Sequence, residues 1–125
     1  MFDKYLIVDD SVRATADGFA FEAKLGYYRG LGLSMIEDLA ITLDGEAVRR
    51  EAIRFDEGAG PISLADMETA YDRRWNFGAK ATISVVGQEA LAPGEHRLTL
   101  AERLRVSYLP FPSINTDEKT VSVAA

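Results

Sequence analysis

The chain has 125 residues, and its 14 Lys and Arg against 20 Asp and Glu give a formal net charge of −6. With 47% hydrophobic residues, 27% charged residues and no cysteine, the composition is that of a globular domain and excludes a disulfide scaffold. A chain of this length buries about two thirds of its unfolded surface, so we expect a single domain over residues 1–125.

Charge and hydropathy also restrict the partners and the compartment. Nucleic-acid binding relies on Lys and Arg that neutralise phosphates, and here the arginines are interleaved with acids in a net-acidic chain. No apolar run approaches the roughly 20 residues of a membrane span. The opening residues 1–5 lack a basic segment followed by a long apolar one, so we predict no secretory signal. We expect a cytoplasmic protein with no nucleic-acid or membrane partner.

The first half of the chain alternates apolar and polar residues, a pattern typical of strands. Residues 19–25 and 39–43 each place their apolar side chains on one face. Asp44-Gly45 then predicts a two-residue hairpin turn, with a returning strand from Val48 to Phe55. Residues 6–8 suggest a further strand near the start.

The second half continues the strand pattern. Residues 81–85 alternate, Ala92-Pro93-Gly94-Glu95 predicts a turn, and a long strand is expected from His96 to Tyr108, paired with residues 81–85. The ending from Ser113 to Ala125 shows little periodicity, so we expect a mobile or partner-bound tail with a short strand at Val121 to Val123.

One segment departs from this pattern. Ser63 is a typical helix N-cap, Asp66 follows three residues later, and Leu64, Met67 and Tyr71 recur at helical spacing, which predicts a short helix. Several strands separated by turns, with one short helix between the halves, predict a mainly β fold: an antiparallel β-sandwich.

Residues able to catalyse a reaction are scarce. His96 is the single histidine, and no orienting partner lies near it in sequence, so a structural role is favoured. Glu37 and Asp38 point to opposite faces of a strand and cannot share a site. Glu102 lies on an apolar strand face, so it must be paired, displaced by a bulge or placed at an interface, of which we favour the bulge or pairing. We assign no catalytic residue and no metal ligand.

Aromatic residues cluster beside glycine or proline in Tyr27-Tyr28-Arg29-Gly30, Trp75-Asn76-Phe77-Gly78 and Tyr108-Leu109-Pro110-Phe111-Pro112. Each such ring can bury about 150–250 Å², so leaving several exposed would be costly. Either these rings close the ends of the sandwich or they contact a partner, since Tyr, Trp and Arg are enriched in interface hot spots.

The same segments carry a family resemblance. Taken with Met1 to Val8, Ile36-Glu37-Asp38-Leu39, Asp44-Gly45-Glu46 and Pro93-Gly94-Glu95-His96, they form an ordered set from Met1 to about Pro112. This set resembles the small β subunit of bacterial C-glycoside deglycosidases.

The resemblance implies a partner for the chain. Members of this family pair with a larger α subunit, a TIM barrel that carries a divalent metal, commonly manganese, and the acid-base histidine. The complex, a hetero-oligomer of several αβ units, cleaves the carbon-carbon bond of 3-oxo-C-glycosides by a β-elimination-like, lyase-type path. This chain would then be a non-catalytic subunit without a cofactor of its own.

On that basis we expect the aromatic segments to form the partner interface or the rim of the partner's pocket. The candidates are Tyr28, Arg29, Trp75, Asn76, Phe77, Tyr108, Pro110, Phe111 and Pro112. The Gly-rich stretch from Asp56 to Pro61 is assigned no role. Two other functions remain open: a free-standing carbohydrate-binding sandwich that stacks sugars on Trp75 and the tyrosines, and a purely architectural subunit.

Overall fold

The computed structural model describes residues 6–8, 10–25, 30–76, 79–87, 90–105, 110 and 113–123. The strands in this part of the chain are β1 (Arg13–Thr15), β2 (Gly18–Lys24), β3 (Leu31–Gly32), β4 (Ile36–Leu43), β5 (Glu46–Ala47), β6 (Ile53–Asp56), β7 (Ile62–Ser63), β8 (Arg74–Trp75), β9 (Lys80–Val85), β10 (Gly94–Leu104) and β11 (Ser113–Val123). The helix α1 (Leu64–Met67) and two 3-10 turns, Leu33–Met35 and Arg50–Ala52, complete the fold.

Two antiparallel sheets enclose one hydrophobic core. Sheet 1 has the strand order β1-β2-β9-β6-β7, and sheet 2 has the order β11-β10-β4-β5. The inner faces of both sheets contribute fully buried residues to the core, among them Phe19, Phe21, Phe55, Ile83, Leu98 and Leu100. The predicted fold class, a mainly β antiparallel sandwich with one short helix, is confirmed.

Four predicted strands and one predicted turn are present. Residues 19–25, 39–43 and 81–85 correspond to β2, β4 and β9, and the long strand expected from His96 to Tyr108 corresponds to β10, which ends at Leu104. Residues 106–109 lie outside the described residues. Leu43 pairs with Glu46 across the turn, and both turn residues have positive φ, 51° at Asp44 and 86° at Gly45. This conformation matches the right-handed twist of a hairpin and is most readily adopted by Asp, Asn and Gly.

The predicted helix cap is also present. The Ser63 hydroxyl oxygen accepts a hydrogen bond from the Asp66 backbone N–H at 3.2 Å. The helix itself ends at Met67, earlier than expected. Leu64 and Met67 are buried, whereas Tyr71 lies beyond the helix and is 77% exposed.

Two predictions about strand pairing were wrong. The segment from Val48 to Phe55 is no single returning strand, because β5 ends at Ala47 and the 3-10 turn carries the chain across to sheet 1 as β6. Strands β9 and β10 do not pair, since β9 lies between β2 and β6 and β10 lies between β4 and β11. Alternation determines which face a residue occupies but leaves the neighbouring strand open.

The short strand expected at Val121 to Val123 is present, but the expectation of little regular structure before it was wrong, because this strand begins at Ser113. Strand β11 pairs with β10 along its whole length, from Ser113 opposite Leu104 to Val123 opposite Gly94. Its inward positions include the buried Asn115 and Asp117, so the inner face of this strand is largely polar and lacks an apolar signature.

The polar face of β11 holds the start of the chain. The Asp117 carboxylate accepts a hydrogen bond from the Ile7 backbone N–H at 2.9 Å, and the Lys119 ammonium donates to the Ile7 carbonyl at 2.5 Å. Ile7 also forms a bridge to Ala23 of β2, so a short pairing exists at the predicted residues 6–8. Residues on β11 therefore connect sheet 2 to the edge of sheet 1.

Within the described ranges, no helix has the length and apolarity to span a membrane.

Candidate functional site

Strands β3 and β8 form a small ladder at one end of the sandwich. Leu31 pairs with Trp75, and Gly32 pairs with Arg74. A Cβ added at Gly30 would lie 3.2 Å from the Trp75 carbonyl oxygen and 3.3 Å from the Asn76 Cα, so the two backbones approach too closely for a larger residue to fit without displacement. The Arg74 guanidinium donates to the Gly30 carbonyl at 3.0 Å and holds this approach together.

The exit of β10 joins the same corner. The Leu33 N–H donates to the Arg73 carbonyl at 2.9 Å, and the Arg105 N–H donates to the Met35 carbonyl at 2.7 Å. Described residues that border the three aromatic segments are thus tied to one another. We call this corner, made of Gly30–Met35, 73–76 and Arg105, the Trp75 end.

Trp75 itself is part of the core. Its side chain is 0% exposed and packs edge-on against Phe55, with ring centroids 5.0 Å apart at an interplanar angle of 64°. The indole N–H donates to the Ala79 carbonyl at 2.9 Å, so the polar edge of the ring is also satisfied. The expectation that this ring contacts a partner directly is therefore corrected, because a fully buried indole closes the end of the sandwich from inside.

The structure describes two of the eight other interface candidates. Asn76 and Pro110 are exposed, as an interface or rim position requires. Six further candidates lie outside the described residues: Tyr28, Arg29, Phe77, Tyr108, Phe111 and Pro112. Their assignment to an interface stays a prediction.

The stretch from Asp56 to Pro61, to which the sequence assigned no role, is held at the Trp75 end. One Asp56 carboxylate oxygen accepts the backbone N–H groups of Gly58 at 2.8 Å and Gly60 at 3.0 Å. Arg73 forms a largely buried ion pair with Glu57 and donates to the Gly60 carbonyl at 2.6 Å. The hydrogen bond to Arg73 lowers the pKa of Glu57, and the same bond raises the pKa of Arg73.

The sequence did not indicate that Arg73 is part of this site. Its side chain holds this loop while its carbonyl accepts from Leu33, so it links two segments of the Trp75 end. Neither contact follows a helical or strand spacing, so no periodicity in the sequence could have identified it.

His96 lies at the opposite end and has an orienting partner there. Its Nδ1 is 2.7 Å from an Asp44 carboxylate oxygen, and its Nε2 is 2.7 Å from the Ala92 carbonyl oxygen. Both neighbours are acceptors, so both ring nitrogens donate, as only the imidazolium can. The hydrogen bond to Asp44 and then that to Ala92 raise the pKa of His96, and the hydrogen bond to His96 lowers the pKa of Asp44. With both nitrogens engaged, His96 is a structural clamp.

The acidic residues singled out in the sequence do not form a common site. Glu37 pairs with Arg103 and Asp38 pairs with Arg50, each at 3.0 Å, so the two carboxylates are held by different partners. Glu102 is fully buried on the inner face of β10. An irregularity in β10 does occur, but it falls after Arg103 and does not turn Glu102 outward.

The described donor residues offer no metal site. Across the described ranges, no group of three His, Cys, Asp or Glu side chains is arranged to hold a metal ion. The described residues therefore do not fit the divalent metal that the resemblance implies for the complex.

Comparison with known proteins finds beta subunits of deglycosidases. A family described as C-glycoside deglycosidase beta subunit matches residues 2–108. A 3'-dehydrocarminate deglycosidase beta subunit from Microbacterium sp is 34% identical over 98% of this chain and 96% of its own length. C-glycoside deglycosidase beta subunits from Arthrobacter globiformis and Eubacterium cellulosolvens are 30% and 29% identical, over 64% and 74% of this chain and 61% and 63% of their own lengths.

Proposed function

Because the chain belongs to the C-glycoside deglycosidase beta subunit family, we propose that it is the small subunit of a heteromeric enzyme that cleaves 3-oxo-C-glycosides. The observation that carries this proposal is the family match over residues 2–108, together with the Microbacterium relative that aligns over nearly the whole chain. That relative is named for a 3'-dehydro substrate, which supports an oxidised sugar as the substrate here.

The proposed reaction is an elimination. A ketone at C3 of the sugar acidifies the proton on C2. Removal of that proton forms a C1–C2 double bond as the bond from C1 to the aglycone breaks, and the aglycone leaves with the bonding electrons and takes up a proton. The base and the acid belong to the large subunit, a TIM barrel in this proposal. No step is assigned to a metal on this chain.

The proposed task of this chain is to contact the large subunit through the Trp75 end. Three backbone ties support this: Gly30 against Asn76, Leu33 to Arg73, and Met35 to Arg105. They bring the borders of the aromatic segments to one corner of a packed sandwich. A rigid scaffold that presents several connecting segments together is the usual arrangement for a binding surface.

A direct test is to assay each subunit alone and both together. We expect the purified mixture to release aglycone from a 3-oxo-C-glycoside and each subunit alone to be inactive. Turnover by this chain alone would overturn the division of labour. Full activity of the large subunit alone would indicate a purely architectural role for this chain. Glycan binding by this chain alone would favour the carbohydrate-binding function.

A further inference from the structure

Most of the described cations without a carboxylate partner lie at or beside the Trp75 end. Elsewhere in the described chain, ion pairs with Asp or Glu engage the exposed or half-exposed arginines Arg13, Arg50, Arg97 and Arg103. Among the described residues, five other exposed cations have no ion pair: Lys24, Arg49, Arg74, Lys80 and Arg105. Arg49 lies elsewhere, and the other four lie at or beside the Trp75 end. We call these four residues the basic band.

Strand pairing, sequence adjacency and hydrogen bonds place the members of the basic band at or beside the Trp75 end. Lys24 and Lys80 are direct cross-strand partners on β2 and β9. Lys80 follows Ala79, whose carbonyl receives the Trp75 indole N–H. Arg74 pairs with Gly32 across the β3 and β8 ladder, and two residues further on Ser34 accepts a hydrogen bond from the Arg105 guanidinium at 3.3 Å.

The described acids that border this corner do not neutralise all of its cations. Glu57 is paired with Arg73, and Asp56 accepts the backbone N–H groups of Gly58 and Gly60. Asp72 is exposed two residues before Arg74 and offsets a single charge. The corner therefore carries excess positive charge on a chain whose formal net charge is −6.

The pairing of Lys24 with Lys80 has a physical cost. Like charges directly opposite each other on neighbouring strands destabilise a sheet. Both side chains are exposed, and the carboxylate two residues away on the same face of β2, that of Glu22, is already engaged by Arg13 and Thr82. Such a pair is stabilised when a surface of opposite charge covers it.

Two other arginines without a carboxylate partner, Arg49 and Arg54, line a groove of about 460 Å³ that also contains Glu46 and Glu51, so the charge of that region is mixed in sign.

We propose that the basic band docks onto an acidic surface of the large subunit and guides the approach of the two subunits. This proposal rests on the proposed function, since it names the chemistry of the partner's surface. Complementary charge chiefly raises the association rate, and salt screens it over a Debye length of about 10 Å at 0.1 M. Arg74 and Arg105 are held on backbone carbonyls, at Gly30 and Ser34, so they lose little freedom on binding.

The test compares two double variants of equal net charge. The band variant is Lys24→Gln with Lys80→Gln. The matched control is Arg49→Gln with Arg97→Gln, which removes two exposed cations away from the basic band: Arg49 lines the groove beside Val86 and Gly87, and Arg97 is paired with Glu118. Association of each with the purified large subunit is measured by biolayer interferometry in 50 and 300 mM NaCl, and thermal unfolding of each free chain is recorded by circular dichroism.

We expect the association rate constant of the band variant to fall about tenfold in 50 mM NaCl and to depend less on salt, while the control changes less than about twofold. The free band variant should unfold at the same or a higher temperature, because the like-charge pair is gone. Equal association rates for the band variant and the control, in mixtures that remain active, would overturn the docking proposal and leave the proposed function intact. A native chain that neither binds the large subunit nor yields an active mixture would overturn both.

Discussion

The indole of Trp75 contributes to the fold through packing and through a hydrogen bond. It fills the end of the core against Phe55 and satisfies its N–H on the Ala79 carbonyl. Its backbone, meanwhile, forms the ladder that orients Gly30 and Asn76. A change at this residue therefore acts first on stability and only through stability on any partner.

Trp75→Ala should lower the free energy of unfolding by about 3–5 kcal/mol, because a buried aromatic ring is replaced by a cavity. Trp75→Phe should cost less, since most of the packing is kept and only the hydrogen bond to Ala79 is lost. Urea denaturation followed by circular dichroism measures both. Asn76→Ala is the control, and its exposed side chain should leave stability within about 0.5 kcal/mol. A Trp75→Ala chain as stable as the native one would place the ring outside the core.

Gly30 and Gly32 offer a matched pair at the same corner. An added methyl at Gly30 meets backbone atoms at 3.2 and 3.3 Å, whereas at Gly32 the nearest atom is 3.8 Å away, an ordinary contact. Gly30→Ala should therefore destabilise the chain by about 1–3 kcal/mol through overpacking, and Gly32→Ala should be tolerated. Thermal unfolding of the two variants distinguishes them, and equal melting temperatures would contradict the close approach.

The clamp between His96 and Asp44 should make stability depend on pH. The pKa of His96 is raised in the folded chain, so its contribution is fully present below the unfolded value of about 6.5 and is lost as pH rises through the folded pKa. The pKa of Asp44 is lowered, so its contribution is present above about pH 4 and is lost as pH falls through the folded pKa.

His96→Gln should consequently lower the melting temperature more at pH 6 than at pH 9, because only the native imidazolium gains from Asp44. Asp44→Asn tests the partner, since Asn keeps the preference for positive φ in the turn and removes the charge. It should reproduce the pH profile of His96→Gln. A penalty that is the same at both pH values would show that the clamp is not charged.

At the level of elements, the sequence predicted those parts whose signal is local. The Asp44-Gly45 turn, the Ser63 cap and the alternating faces of β2, β4 and β9 are each determined by neighbouring residues. What could not be predicted is the choice of partners between distant strands, such as the crossing from β5 to β6. The candidate site divides in the same way: its glycines and aromatics were visible, but Arg73 and the burial of Trp75 depend on tertiary contacts.

Strand β11 was missed for a related reason. Its alternation is strict, but several of its inward residues are polar, because Asp117 and Lys119 bind the backbone of Ile7. A periodicity search based on hydrophobicity does not register such a strand. The backbone groups of Ile7 supply hydrogen bonds to Asp117 and Lys119 on this polar inner face.

Adjacent acids on β11 provide a test of this account. Asp117→Ala leaves the buried Ile7 N–H without its acceptor and should cost about 1–3 kcal/mol of unfolding free energy. Glu118→Ala removes the same charge from the outer face, where its pair with Arg97 is exposed, and should change stability by less than about 1 kcal/mol. Chemical denaturation gives both values. Equal losses would mean that the contact with Ile7 is not important for stability.

For the molecule as a whole, the two ends of the sandwich differ in what they can do. At one end His96, Asp44 and Ala92 engage one another, and both nitrogens of the imidazole are used. At and beside the Trp75 end, Asn76 is exposed and the cations of the basic band have no ion pair among the described residues. A partner that binds the chain should therefore cover the Trp75 end and leave the His96 clamp in water.

Hydrogen exchange with mass spectrometry can locate that partner on the intact chain. Adding the large subunit should slow exchange in peptides that cover Gly30–Met35 and 73–76, and it should leave peptides around Asp44 and His96 unchanged. It should also raise the melting temperature of this chain in proportion to the logarithm of the partner concentration, because the partner binds only the folded state. Protection confined to the His96 peptides would contradict this prediction. The partner would then bind the opposite end of the sandwich, where the polar groups already satisfy one another.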